Sequence, residues 1–371
     1  MERVAYSEEE LLSSITYDEP LIADGVRCHG GFVAGHYQSP RTANRTPAIA
    51  AWQAQLAARG LPLLDIPSEL VPPHFPNPAQ AKLLLREGVR DPLARTLTTI
   101  AIIEGFGAMI RDQPVPNWAR VVKEAVDGTA IAHLRTGLFE AHARDEAGHR
   151  SEGGHKQMWE AARDLALDHP AIPSDVLMRL MTGRRGSGRQ RLFPQLDDAF
   201  EELLTTMANV LVIEVFAADT FAWAEEVLGD PEVSARPTEA AAMVGYIRSD
   251  ESPHVEYLRT ALSELRAHTL LGAHGEELAG SEVVDGLLNR TLRVLTTQRP
   301  QLQREEARAD IAAACATHRD AAGLQRRFDA LETEWTSPRT EGSLIRLAMP
   351  SSALPEMSHS SVGATHASPA K

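Results

Sequence analysis

The sequence predicts an all-α protein organised around a four-helix bundle. Three observations carry this. Helical apolar periodicity dominates from about residue 81 onward, the pattern Asp-Glu-x-x-His occurs twice, and two lone glutamates interrupt otherwise apolar helical stretches. The two patterned stretches are Asp145-Glu146-Ala147-Gly148-His149 and Asp250-Glu251-Ser252-Pro253-His254. Residues three apart share one side of a helix, so each Glu-x-x-His aims a carboxylate and an imidazole at one point.

The first 80 residues read as an irregular N-terminal extension. Turn signals crowd it, among them Asp18-Glu-Pro20, His29-Gly-Gly31, Ser39-Pro40 and Val71-Pro-Pro-His-Phe-Pro76. One helix, Pro47 to Arg59, is expected there, with Gly60 as its terminating glycine. Helical segments then follow at 78–88, 93–112, 117–127, 129–167, 174–182, 195–228, 237–270, 280–297 and 301–333. Asp112-Gln-Pro-Val-Pro116, Asp168-His-Pro170 and Gly229-Asp-Pro231 supply the breaks. Residues 81–336 form the helical domain on this reading. The stretch 337–371, rich in Ser, Pro, Ala and His, is expected to be disordered.

Composition bounds the function. A 371-residue chain that is 43% hydrophobic can bury a large core. No run is expected to approach the length of a membrane-spanning helix, and the acidic start lacks the order of a signal peptide. A net charge of −14 argues against nonspecific binding to nucleic acid or anionic membrane. Cys28 and Cys315 are the only cysteines, which excludes a disulfide framework and makes a reducing cytoplasm the expected compartment.

The chemistry concentrates in four segments. Glu104 lies within Leu97–Ile110 and Glu214 within Met207–Ala218, both strongly apolar. A carboxylate there is costly unless paired, hydrogen-bonded or metal-bound. The same-face neighbours of Glu146 (Phe139, His142, His149, Gly153) and of Glu251 (Val244, Ile247, His254, Leu258, Ala261) are mostly apolar apart from the candidate ligands. The order Glu104, Glu146/His149, Glu214, Glu251/His254 therefore predicts a buried dinuclear metal site with those six residues as ligands. His142, one turn before Glu146, is a further candidate ligand. Asp145 and Asp250 are placed to accept the outer N–H of a ligand histidine, each for the histidine on the other helix. Glu152-Gly-Gly-His155 also fits Glu-x-x-His, but Glu152 lies six residues past Glu146 on a different face, and two glycines weaken a helix there, so it reads as surface. Pro253 should kink or bulge its helix at the site. Carboxylate and imidazole donors suit iron, manganese or a mixed pair.

These residues resemble the ferritin-like di-iron carboxylate superfamily over residues 93–268. The superfamily includes the ribonucleotide reductase small subunit, acyl-carrier-protein desaturases and arylamine N-oxygenases. The resemblance implies a ferritin-like bundle with additional helices, two Fe ions, O2 as co-substrate, an external electron donor such as a reductase or ferredoxin, and a small organic substrate that is N-oxygenated, hydroxylated or otherwise oxidised at C–H. A homodimer is compatible with it. Two departures prune the reactions. Gly153 stands where the reductase subunit carries a radical Tyr, and Ala217 and Ala218 stand where hydroxylases tend to place a Thr. The same residues are compatible with a carrier-bound acyl desaturase, for which Arg184, Arg185, Arg189 and Arg191 would form the dock for an acidic partner. They are also compatible with a radical-generating reductase-like protein and with a non-catalytic helical interaction protein.

Overall fold

Helix dominates the chain, as its periodicity predicts, and the computed structural model describes residues 3–172, 174–183, 190–333 and 342–349. The helices in chain order are α1 (Glu8–Leu11), α2 (Arg45–Ala58), α3 (Pro78–Arg86), α4 (Asp91–Gly107), α5 (Trp118–Val121), α6 (Ala130–His133), α7 (Phe139–Ala147) and α8 (His155–Leu167). They continue as α9 (Val176–Gly183), α10 (Asp198–Leu228), α11 (Pro237–Asp250), α12 (Ser252–Arg266), α13 (Gly280–Arg293), α14 (Arg299–Cys315) and α15 (Ala321–Ala330). A short 3₁₀ turn extends α4 to Asp112, a kink at Thr136 and Gly137, where the backbone leaves helical geometry, precedes α7, and a π-helical turn joins α13 to α14.

The N-terminal extension is not irregular. It carries a three-stranded antiparallel sheet of β1 (Glu19–Ala23), β2 (Val26–Val33) and β3 (His36–Gln38), in that order. Both hairpin turns have two residues at positive φ, Asp24-Gly25 and Ala34-Gly35, the geometry whose twist matches flanking strands. Strand β4 (Leu63–Asp65) precedes α3, and β5 (Thr269–Leu271) pairs with β6 (Glu277–Ala279). Strand β7 (Arg346–Ala348) pairs antiparallel with β4, so that part of the stretch expected to be disordered is ordered. The remainder of 337–371 lies outside the described residues.

Three long helical segments break. Segment 129–167 is interrupted between Ala147 and His155, and 301–333 between Cys315 and Ala321, where Asp320 caps the next helix by accepting from Gly323 N. Segment 237–270 divides at Pro253: α11 ends at Asp250 and α12 starts at Ser252, with the proline in its first turn, where a missing N–H costs nothing. Segment 117–127 is helical only over α5, after which Val122 bridges to Leu270.

The apolar core falls into two clusters, and α10 and the α11–α12 pair run from one to the other. On α10, Leu204, Met207 and Leu211 belong to the first and Phe221, Ala224 and Val227 to the second. On α11 and α12 the order reverses, with Val244 and Ile247 in the second cluster and Tyr257 and Leu258 in the first. The acids sit at these crossovers, between two dry regions. α4 packs on α7 and α8, α8 on α11, and α11 and α12 on α10. Two helical stretches, Asp91–Asp112 and Asp198–Leu228, are long and apolar enough to cross a membrane by length and composition, with mean hydropathy 1.4. That corrects the expectation that none would be. Each of them carries one of the site's glutamates, Glu104 or Glu214.

Candidate metal centre

Glu146, Glu251, His155 and His254 converge where α7, α8, α11 and α12 meet. All four are buried. His155 Nδ1 lies 3.0 Å from Glu251 Oε1 and 3.3 Å from Glu146 Oε1. His254 Nδ1 lies 2.7 Å from Glu251 Oε2 and 3.2 Å from Glu146 Oε1. His142 and Glu214 complete a second group with Glu146 and His254, His142 Nε2 lying 3.4 Å from Glu214 Oε1. Donor atoms within each group lie within 4.8 Å of one another. Glu104 stands at the opposite edge, beside Glu146 and accepting from Trp159 Nε1 at 3.1 Å.

The expected ligand His149 is not among them. Helix α7 ends at Ala147, and Gly148 at φ +82° turns the chain outward, so His149 is half-buried at the periphery and pairs with Glu152 through two backbone hydrogen bonds. The residue read as surface, His155, is fully buried and takes the place assigned to His149. The cause is the seven-residue loop Gly148–Gly154. Strand β2 docks on it, His29 N donating to Gly153 O and Gly153 N to Arg27 O, both at 2.9 Å. A Cβ on Gly148 would stand 2.3 Å from Glu152 O, and one on Gly154 2.4 Å from Asp145 O, so only glycine allows the loop to fold this tightly. Helix α8 then restarts with His155 aimed inward. Gly153 is therefore not the residue one turn beyond the ligand histidine. Trp159 is, and it is bonded to Glu104.

Both aspartates take the crossed arrangement. Asp145 Oδ2 lies 2.9 Å from His254 Nε2, and Asp250 Oδ2 lies 3.5 Å from His155 Nε2. Each imidazole thereby presents Nδ1 to the centre and Nε2 to a carboxylate behind it.

Electrostatics divide the acids into two kinds. Burial raises Glu104 well above the usual carboxylate range, and the neighbouring Glu146 and Glu251 charges raise it further. Burial does the same to Glu214, with Glu251 and Glu146 beside it. Burial also opposes ionisation of Glu146, but the imidazoles of His155 and His254 outweigh it and hold its pKa well below normal. The mirror effect holds His155 and His254 well above the usual imidazole range, against burial, through the Glu251 and Glu146 carboxylates. His142 differs. Burial, aided by the His254 charge, pushes it down to about 3, so it is a neutral imidazole. Its ring stacks on His254 with centroids 4.0 Å apart, and Tyr257 Oη lies 3.2 Å from its Nδ1.

The donor set fits metal ions. Glu146 Oε1 and Oε2, Glu251 Oε1, His142 Nε2 and both ring nitrogens of His155 are buried without a hydrogen-bond partner. Buried polar atoms are seldom left so. Space is also reserved: a Cβ on Gly107 would stand 2.8 Å from Glu146 Cγ. Charge points the same way. Six carboxylates (Glu104, Glu146, Glu214, Glu251, Asp145 and Asp250) face two buried guanidinium groups, Arg41 and Arg45. With every acid ionised and the imidazoles neutral the site would be four positive charges short of neutrality, a deficit that the four protons on Glu104, Glu214, His155 and His254 fill here and that two divalent cations would fill in their place.

The basic stretch gives a different result. Arg191 is held in place, its Nε 2.8 Å from the buried Glu201 carboxylate and its Nη2 donating to the carbonyls of Phe193 and Leu196. Arg184, Arg185 and Arg189 lie outside the described residues. No protein-family model, curated protein or solved structure matches this chain.

Proposed function

We propose that the centre holds two divalent iron or manganese ions in a ferritin-like helical bundle, and that the protein is an O2-dependent oxidoreductase acting on a small organic substrate. The observation that carries this reading is the cluster of buried carboxylate and imidazole atoms without hydrogen-bond partners. On this reading Glu104, Glu146, Glu214, Glu251, His142, His155 and His254 would hold the ions, with Glu146 common to both buried groups of donors. Such ions, when bound, supply electrons to O2.

The chain's own residues prepare that chemistry. Glu104 and Glu214 retain protons and His155 and His254 carry them, and all four would have to release them to act as ligands. Asp145 bonds the His254 imidazole at Nε2, fixing its tautomer and ring plane, and Asp250 faces His155 Nε2 at 3.5 Å. Phe139, Trp159, Ile247 and Leu258, all buried around the ligands, exclude water from the centre. An electron donor and a free small-molecule substrate complete the reading. The carrier-bound desaturase loses one of its four docking arginines, since Arg191 is already bound to Glu201.

The test combines elemental analysis with O2 uptake. Protein purified with Fe(II) or Mn(II) should hold close to two ions per chain, and the anaerobic Fe(II) form should consume O2. Protein that binds neither ion, or binds both and leaves O2 untouched over hours, overturns the proposal.

A further inference from the structure

The N-terminal segment supplies none of the proposed metal ligands, yet four of its side chains end on the two aspartates behind the ligand histidines. Arg41 Nε donates to Asp145 Oδ1 at 2.6 Å, and Arg45 Nη1 donates to Asp145 Oδ2 at 2.7 Å. Tyr37 Oη donates to Asp250 Oδ2 at 2.8 Å, and His29 Nε2 lies 3.1 Å from the same oxygen. The two groups are joined, because Arg41 Nη2 lies 3.2 Å from His29 Nδ1. A guanidinium only donates, so His29 Nδ1 must accept. The ring proton therefore sits on Nε2 and points at Asp250. That leaves His29 no lone pair for a metal.

The stretch from His29 to Arg45 is thus one continuous tie between the two aspartates, which belong to different helices. It is firmly seated: Tyr37 stacks on Tyr246 with ring centroids 4.4 Å apart, Phe32 meets both rings edge-on, and β2 bonds to the loop before α8. The tie has two chemically different ends. Asp145 is held by two guanidinium groups, which suits an anion, and stands behind His254. Asp250 is held by a phenol and an imidazole and stands behind His155.

We propose that His29, Tyr37, Arg41 and Arg45 are positioning residues of the metal centre, and that docking of residues 27–45 is coupled to metal loading. The inference rests on the metal reading above. A docked segment orients both imidazoles before a metal arrives, which tightens metal binding. Linkage is reciprocal, so bound metal must tighten docking of the segment by the same factor. Loss of an outer partner of a ligand histidine commonly costs about 10–100-fold in metal affinity.

The probe is Mn(II), followed by electron paramagnetic resonance for binding and by amide hydrogen exchange for the segment. In the wild type, exchange across 27–45 should slow when Mn(II) is added to metal-free protein. Arg41→Gln should weaken Mn(II) binding about 10–100-fold, Arg41→Lys should restore part of it, and Tyr37→Phe, which removes one hydroxyl and keeps the ring, should weaken it by less. Circular dichroism checks that each variant folds, and Tyr37→Phe remains informative where an arginine variant does not fold. A purely structural role predicts lower melting temperatures with Mn(II) affinity unchanged. That result, or exchange in 27–45 that ignores Mn(II), overturns the inference while leaving the metal reading intact. Wild type that binds no Mn(II) overturns both.

Discussion

Asp145 and His254 are 109 residues apart in sequence and 2.9 Å apart in space, joined carboxylate to imidazole. Asp145 sits on α7 beside Glu146, so a single helical turn provides a central acid and the support for a histidine on another helix. Asp250, beside Glu251, faces His155 Nε2 across 3.5 Å. Neither helix pair completes its own half of the centre.

The first prediction separates the two histidines that follow Glu146. His155→Ala should reduce bound metal from close to two ions toward one, because Nδ1 of His155 faces Glu146 and Glu251. His149→Ala should leave metal content at the wild-type level, since its ring is not part of the centre. Inductively coupled plasma mass spectrometry of the two variants decides the matter. Metal loss in the His149 variant alone would restore the simple Glu-x-x-His pattern.

Gly107→Ala tests whether room has been kept for Glu146. The new methyl would stand 2.8 Å from Glu146 Cγ and 3.3 Å from its Oε2. Alanine is the better helix former by about 1 kcal/mol, so α4 itself gains. We expect a folded protein whose metal affinity drops at least tenfold, measured by competition with a chelator. Unchanged affinity would mean that the Glu146 carboxylate does not need that position.

Glu264 should make stability depend on pH. Its carboxylate accepts from Ala130 N and Ile131 N, both at 3.0 Å, at the start of α6. Burial nonetheless pushes its pKa up to about 8. Between the ordinary value of 4.5 and about 8, the unfolded chain has released this proton while the folded chain keeps it. Stability is therefore greatest below that window and falls as pH rises through it, by at most about 1.4 kcal/mol per pH unit. Glu264→Gln keeps an acceptor oxygen and removes the titration. Urea unfolding across the window should show a flatter profile for the variant, and parallel profiles would refute the assignment.

Arg191→Ala should act on folding. The arginine neutralises Glu201, whose side chain is buried and accepts also from Leu192 N and Phe193 N. Removing it leaves a buried acid short of a partner, a loss of about 1–3 kcal/mol. The melting temperature should fall, and the rate of substrate oxidation by the folded fraction should show no new salt dependence. A large change in salt dependence with no stability loss would return this residue to a docking role.

Periodicity shows the helical character and the segments containing Glu104, Glu214, Glu251 and His254, because those helices are long and apolar on both sides of the acid. It also shows the crossed aspartates, since Asp145 and Asp250 stand in the same place in both patterns. It misleads at His149 for a local reason. Gly148, a terminating glycine of the kind visible at Gly60, outranks the three-residue spacing, and Gly153-Gly154 marks a close backbone approach rather than a weak stretch of helix. The sheet at the N-terminus is signalled by Asp24-Gly25 between Leu21-Ile-Ala23 and Val26. What no local pattern contains is the arrival of Arg41 and Arg45 at Asp145, a pairing across 104 and 100 residues.

Strand β7 closes against β4, matching Leu63 with Ala348, Leu64 with Leu347 and Asp65 with Arg346. During synthesis β4 leaves the ribosome long before its partner exists. At about 5–20 residues per second, the intervening chain takes on the order of tens of seconds to make. For that interval the β4 edge that β7 will pair with is open to any passing strand. A chain ending short of Arg346 would leave that edge unpaired, with only its three-residue length and the charge of Asp65 to discourage another strand.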